Sequence, residues 1–366
     1  MSWWKRVDQY QRKHRWAGFP LGVAYKFGDD QGNYLAALIT YYAFLSVFPL
    51  LLLASSILGF ILQNDPQLQK EILDSTLARF PVIGDELRAP EGLKGSTSAV
   101  VIGALVALYG ALGVAQATQN ALNIAWAVPR NRRPNPVMAR LRSLVLLGVA
   151  GLAILLTTFI ANLTAGIAAL GSNLETSLSW GLTGGTILLN GAIFTLLFWL
   201  AAAHRHSPLK DVPGALFVAV IWQLLQYTGS AYVSAIVKDS SATAGVFALV
   251  LGMMAWIYLG ALAVTFGIEI NVVHARRLYP RALLTPFTDN VDLTEADRLV
   301  YTGYAQAQGH KGFQSVDVTF DESRRGRRGR EKAVEELKER TEEQTEAEAP
   351  QEANEQTEQQ KREGVS

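Results

Sequence analysis

Six stretches of this 366-residue chain contain no Asp, Glu, Lys or Arg: residues 35–62, 95–128, 143–174, 176–203, 212–237 and 240–268. A helix needs about 20 apolar residues to cross the hydrocarbon core of a bilayer, so each stretch is long enough to span it. The apolar share of the whole chain, 49%, decides little, because soluble proteins reach similar values. Its distribution decides the class. We expect an all-α polytopic membrane protein, a bundle of six transmembrane helices at about residues 35–62, 97–126, 143–170, 180–203, 213–237 and 243–273. These form a membrane domain over residues 35–275, with short amphipathic helices at both surfaces.

The connecting segments give the orientation. Residues 1–34 carry Lys5, Arg6, Arg12, Lys13, Arg15 and Lys26; the second and third helices are joined by VPRNRRPNPVMARLR; HRHSPLKD follows the fourth helix and HARRLYPR the sixth. The alternate loops lack this basic excess. Basic residues beside helix ends favour the cytoplasmic side, so both termini are expected there. No cleavable signal peptide is expected, since MSWWKRVDQYQRKHRW has charges throughout and no early apolar core. Trp3, Val7, Tyr10 and His14 share one helical face, as in a helix lying in the headgroup layer. In the first outer loop, Leu68, Ile72, Leu73, Leu77 and Phe80 recur at helical spacing. Residues 276–322 form a juxtamembrane region in which Thr294 and Asp297 fit a helix N-cap pattern. Residues 323–366 read as a disordered charged tail. It opens with SRRGRRGR, whose Arg324, Arg325, Arg327, Arg328 and Arg330 are candidate contacts for anionic lipid.

Polar groups inside lipid are expensive and mark candidate sites. In ITYYAFLSVFPLLLL, Tyr42, Ser46 and Pro49 share one face, with Tyr41 beside them. Pro49 frees the carbonyl of Leu45, and the Ser46 hydroxyl is placed to help compensate. The second helix supplies Gln116, Gln119, Asn120 and Asn123; the sixth ends in GIEINVVHARR, with Glu269 and Asn271. A buried layer of Tyr42, Asn120, Asn123, Glu269 and Asn271 is geometrically possible. Two roles suit Glu269: binding a proton, a cation or a cationic headgroup, or pairing with Arg276, Arg277 or an arginine of the 130–142 loop. Asn162, Asn190, Gln223 and Gln226 read as hydrogen-bond partners between helices.

Catalytic motifs are missing. His204 and His206 have no carboxylate or third histidine nearby to complete a metal site, and read as surface charge at the basic side. No phosphate-binding loop and no nucleophile elbow occurs. The chain has no cysteine, which excludes disulfides and thiolate sites. No enzyme activity, cofactor, metal or nucleic-acid partner is expected.

The runs LAALITYYAFLSVFPLLLL, YGALGVAQATQNALNIAW and AWIYLGALAVTFGIEIN resemble the YihY/virulence factor BrkB family over residues 26–277. That resemblance implies six transmembrane helices in a bacterial cytoplasmic (inner or plasma) membrane, and places interest on Tyr41, Tyr42, Pro49, Asn120, Asn123, Glu269 and Asn271. The family has no agreed biochemical activity; some members are associated with envelope integrity, serum resistance or lipid-related transport. Its former label, ribonuclease BN, finds no histidine-rich metal motif here. We therefore expect a non-enzymatic membrane protein that transports or reorganises a lipid or other envelope component, with membrane lipids as partners. The alternative is a membrane scaffold recruiting partners through its charged ends. Oligomeric state is not legible in the sequence.

Overall fold

The computed structural model describes residues 3–61, 97–168, 175–239, 242–288 and 291–320. They contain nine α-helices: α1 (Trp3–Lys13), α2 (Arg15–Asp29), α3 (Gly32–Ile61), α4 (Thr97–Ala125), α5 (Pro136–Ala168), α6 (Glu175–Ala201), α7 (Val212–Asp239), α8 (Ala242–Arg276) and α9 (Glu295–Ala307). Among the described residues there is no strand. Of the described residues, five helices are long and apolar enough to cross a membrane, over Val101–Ala125, Pro136–Thr158, Thr183–Ala201, Val212–Gly229 and Val250–Arg276. Each overlaps one charge-free stretch, and the remaining stretch lies in α3. The outer-loop pattern at Leu68–Phe80, the arginine cluster at 324–330, the charged tail and the side chain of Asn162 lie outside the described residues.

All nine helices belong to one compact unit, Met1–Pro286 with Leu293–Val316. The second unit is Phe287–Asp292 with Asp317–Ser366, and its described residues contain no helix.

Local chemistry sets several helix ends. Asn135 accepts the backbone N–H of Met138 at 2.7 Å and Pro136 occupies the first helical position, so α5 starts with a side-chain cap and a residue that lacks an N–H to leave orphaned. At α9 the expected cap forms as a full capping box: Thr294 accepts from the Asp297 N–H, and Asp297 accepts from the Thr294 N–H.

The membrane helices pack through small residues. On α4, Gly110 lies against Ser46 and Gly113 against the Tyr42 ring, so these α3 side chains rest directly on the α4 backbone. On α7, Gly214 faces the Gly267 carbonyl and the Asn271 side chain of α8; Asn271 Oδ1 accepts the Gly214 N–H at 2.7 Å. A methyl on Gly214 would sit 2.6 Å from that oxygen. Gly214→Ala is therefore expected to cost about 1–3 kcal/mol through overpacking, read as a lower Tm in detergent. Gly148→Ala, where a methyl meets nothing within 4 Å, is the control and is expected to leave the Tm unchanged or slightly raised.

The main core lies at the end where the basic loops gather. Leu122, Trp126, Phe198, Val218, Ile268, Val272 and Val273 bury against one another there. A second core joins Ala36, Ile39, Ala117 and Ala261, with Tyr42 packed against it.

Candidate functional site

Lys26 sits one turn before Asp30, and their side chains meet as an i,i+4 ion pair at the end of α2. This pair packs against α8, which puts Lys26 Nζ 3.7 Å from Glu269 Oε2. The same ammonium donates to the carbonyl of Ala125 at 3.1 Å and faces the Tyr304 ring at 5.1 Å. Lys26, Asp30 and Glu269 are 2, 5 and 2% exposed. Asp30 Oδ1, Glu269 Oε2 and the Tyr304 hydroxyl are all buried, and both Glu269 and Tyr304 face the Asp30 carboxylate. Burial, and after it the neighbouring Asp30 charge, push the Tyr304 phenol far above its usual range, so it keeps its proton. A cavity of about 240 Å³ reaches this cluster, lined by Lys26, Arg276, Val300, Gly303 and Tyr304 among others.

Beside it a second buried group ties the N-terminal helices to the chain after α8. Arg281, 1% exposed, donates to Asp297 at 2.5 Å and to Asp29 at 3.0 Å. Gln11 of α1 donates to the Arg281 carbonyl at 2.6 Å, and Tyr25 donates to that of Leu283.

Deeper in the bundle, α3, α5, α6, α7 and α8 line a half-open cavity of about 410 Å³. Its walls are mostly apolar, with Ile39, Ala153, Ile193 and Val264 among them; Asn190 and Gln226 bring two amides. Trp222 and Trp256 flank it with ring centroids 5.3 Å apart. Glu269 lies five residues beyond Val264 on α8, about 7–8 Å along the helix axis.

The sequence model of the family described as virulence factor BrkB matches residues 23–290, which take in α3 to α8 and every residue of the Lys26–Asp30–Glu269 cluster. The chain belongs to the virulence factor BrkB family. Inner membrane protein YhjD of Escherichia coli (strain K12) is 26% identical over 253 residues, 64% of this chain and 74% of that protein. UPF0761 membrane protein PsycPRwf_0630 of Psychrobacter sp. (strain PRwf-1) is 25% identical over 298 residues, 76% of this chain and 53% of that one. YfkH of Bacillus subtilis (strain 168), named as ribonuclease-like, is 25% identical over 272 residues, 68% of this chain and 93% of that protein. No solved structure matches the chain. With its apolar helices, this BrkB-family chain is a multi-pass protein of the bacterial cytoplasmic membrane.

Several expectations for this BrkB-family chain change on the structure. Glu269 pairs with Lys26, and not with an arginine at its own helix end or in the 130–142 loop. Arg276 instead donates to the Trp126 carbonyl at 2.6 Å, with its guanidinium over the indole ring. The Ser46 hydroxyl donates to the Ala43 carbonyl at 2.9 Å, so it does not serve the Leu45 carbonyl that Pro49 frees. Among the described residues no hydrogen bond joins Tyr42, Asn120, Asn123, Glu269 and Asn271 into one layer. Tyr42 packs by its ring, Asn271 bonds α7, and Asn123 is buried with Oδ1 unpartnered. Gln116 and Tyr41 are exposed, and Asn120 is half-buried. Pro49, half-buried, lies inside the continuous helix α3. Asn190 and Gln226 line the cavity, while Gln223 Oε1 is buried without a partner.

His206 does have a carboxylate: its ring lies 2.7 Å from Asp211, five residues on, and stacks on Trp126. The hydrogen bond to Asp211, opposed by burial, raises its pKa. A folded-state pKa above the unfolded value of about 6.5 gives stability that is complete below that pH and lost as pH climbs through the folded value. The expected result is that His206→Asn removes a decline in Tm on raising the pH above about 6.5, seen as the difference from wild type. His204, whose pKa burial and then Arg276 lower, contributes with the opposite sign and is common to both proteins.

Proposed function

We propose that this chain moves or reorganises a lipid or other envelope component by binding it within the membrane, without a covalent step. The observation that supports this reading is the cavity of about 410 Å³ among five membrane helices. Its volume falls within the range of about 300–1,000 Å³ usual for ligand pockets. Apolar walls suit an acyl chain, and the Asn190 and Gln226 amides offer hydrogen bonds to a polar group beside it.

The reading takes six spans with both termini cytoplasmic. Supporting it, the basic loops meet at one end of the bundle: Trp126 before the 130–142 loop stacks with His206 after α6, and Arg276 at the end of α8 bonds the Trp126 carbonyl. Arg142 donates to the Ala202 carbonyl at the same end.

Reconstitution into liposomes with leaflet-sensitive lipid probes tests the proposal. Wild-type protein is expected to exchange probes faster than protein-free liposomes. Ala153→Trp, which projects an indole into the cavity, is expected to return the rate to the protein-free level while eluting as folded protein. Exchange at the protein-free rate for wild type, across probes of differing headgroup, would overturn the proposal.

A further inference from the structure

The charges of Lys26, Asp30 and Glu269 do not balance. One ammonium faces two carboxylates, and all three side chains are buried. Neighbouring elements do not supply the missing positive charge. On α2, Asp29 is taken by Arg281. On α8, Arg276 turns away to the Trp126 carbonyl. From α9 come Tyr304, a neutral phenol, and Asp297, which is held by Arg281. Helices α3 and α4 carry no charged residue; α4 contributes only the Ala125 carbonyl and the Asn123 amide at this end. A buried carboxylate with no counter-charge is costly enough that it takes up a proton instead.

The geometry leaves places for that proton. Asp30 Oδ1 and Glu269 Oε2 are both buried, and the two carboxyl groups lie close enough to interact through their side chains. The Tyr304 hydroxyl, also buried, faces the Asp30 carboxylate as an O–H donor. We propose that Asp30 and Glu269 share one exchangeable proton beside Lys26, forming a proton-binding site reached through the 240 Å³ cavity that Lys26, Arg276 and Tyr304 line. The proton arrives from water, forms an O–H bond with one carboxylate oxygen, and leaves as that bond breaks; nothing else is made or broken. A metal cation would have to lie against the Lys26 ammonium, which contacts both carboxylates. That this proton drives movement of a ligand rests on the lipid-transport reading; the binding of the proton does not.

The test is infrared difference spectroscopy on the full chain in nanodiscs at neutral pH, comparing H₂O with D₂O. Wild type is expected to show a protonated-carboxyl C=O stretch that shifts down in D₂O. Glu269→Gln leaves a neutral Lys26–Asp30 pair and Asp30→Asn a neutral Lys26–Glu269 pair, so each substitution alone is expected to abolish the band. Absence of the band in wild type, or its survival in either variant, would overturn the proposal. A second measurement needs only wild type. A hydrophobic carbodiimide, which takes the proton of a buried carboxyl on nitrogen as the carboxyl oxygen adds to its central carbon, is expected to label the peptide bearing Asp30 or Glu269 by mass spectrometry; no label on either peptide overturns the proposal. Neither readout involves lipid movement, so the proton site and the transport reading fail separately.

Discussion

Lys26→Met is expected to destabilise the folded protein by about 3–5 kcal/mol, the range for removing one partner of a buried ion pair. The ammonium is 2% exposed and touches Asp30, Glu269 and the Ala125 carbonyl together. Methionine fills a similar volume, so the loss reads the charge and not a cavity. In detergent the Tm is expected to fall on the order of 10 °C. The double variant Lys26→Met with Asp30→Asn removes the ammonium together with the carboxylate it touches, and is expected to recover at least half of that loss. A single variant with an unchanged Tm would show that the cluster is open to water, contrary to its burial.

Arg281→Met is expected to have an effect of similar size, about 3–5 kcal/mol, for a related reason. Its guanidinium bridges α2 through Asp29 and α9 through Asp297, and faces the rings of Tyr25 and Tyr301. Asp297 is fully buried and keeps its bonds from the backbone of Ala282 and Thr294, but loses its counter-charge. The measurable consequence is a lower Tm together with faster amide exchange in α9, which is held to α2 by this arginine. Arg281→Lys is not expected to rescue, because an ammonium cannot present two separate N–H directions to carboxylates on different elements as a planar fork does. A variant in which α9 keeps its exchange protection would place the docking of that helix in its apolar residue Val300 instead.

The membrane helices were legible because absence of charge is a local property of the chain. A long run without Asp, Glu, Lys or Arg declares its solvent without reference to any partner, and α4 to α8 follow from it. The α9 capping box was legible for the same reason, since Thr294 and Asp297 satisfy each other three residues apart. His206 and Asp211, five residues apart, were within reach of the same reasoning, but no α-helix joins them and their approach depends on the single 3-10 turn at Pro208–Lys210.

Lys26 was harder. With Asp30 four residues on, it reads as a solvated helix pair at the edge of a basic leader. Only the packing of α2 on α8 brings it to Glu269, a residue 243 positions away (269 − 26), and turns an ordinary surface pair into a buried cluster with a charge left over. The cavity among α3, α5, α6, α7 and α8 was not legible at all, because it is a volume no residue owns.

By itself, then, the sequence determined the solvent of each segment: which runs lie in lipid, which loops are basic, where a helix is capped. Each depends on neighbours along the chain. The tertiary structure alone decided which polar groups face one another, because a buried charge takes its partner from whatever helix packs against it. For Glu269 that partner came from α2, outside the membrane spans.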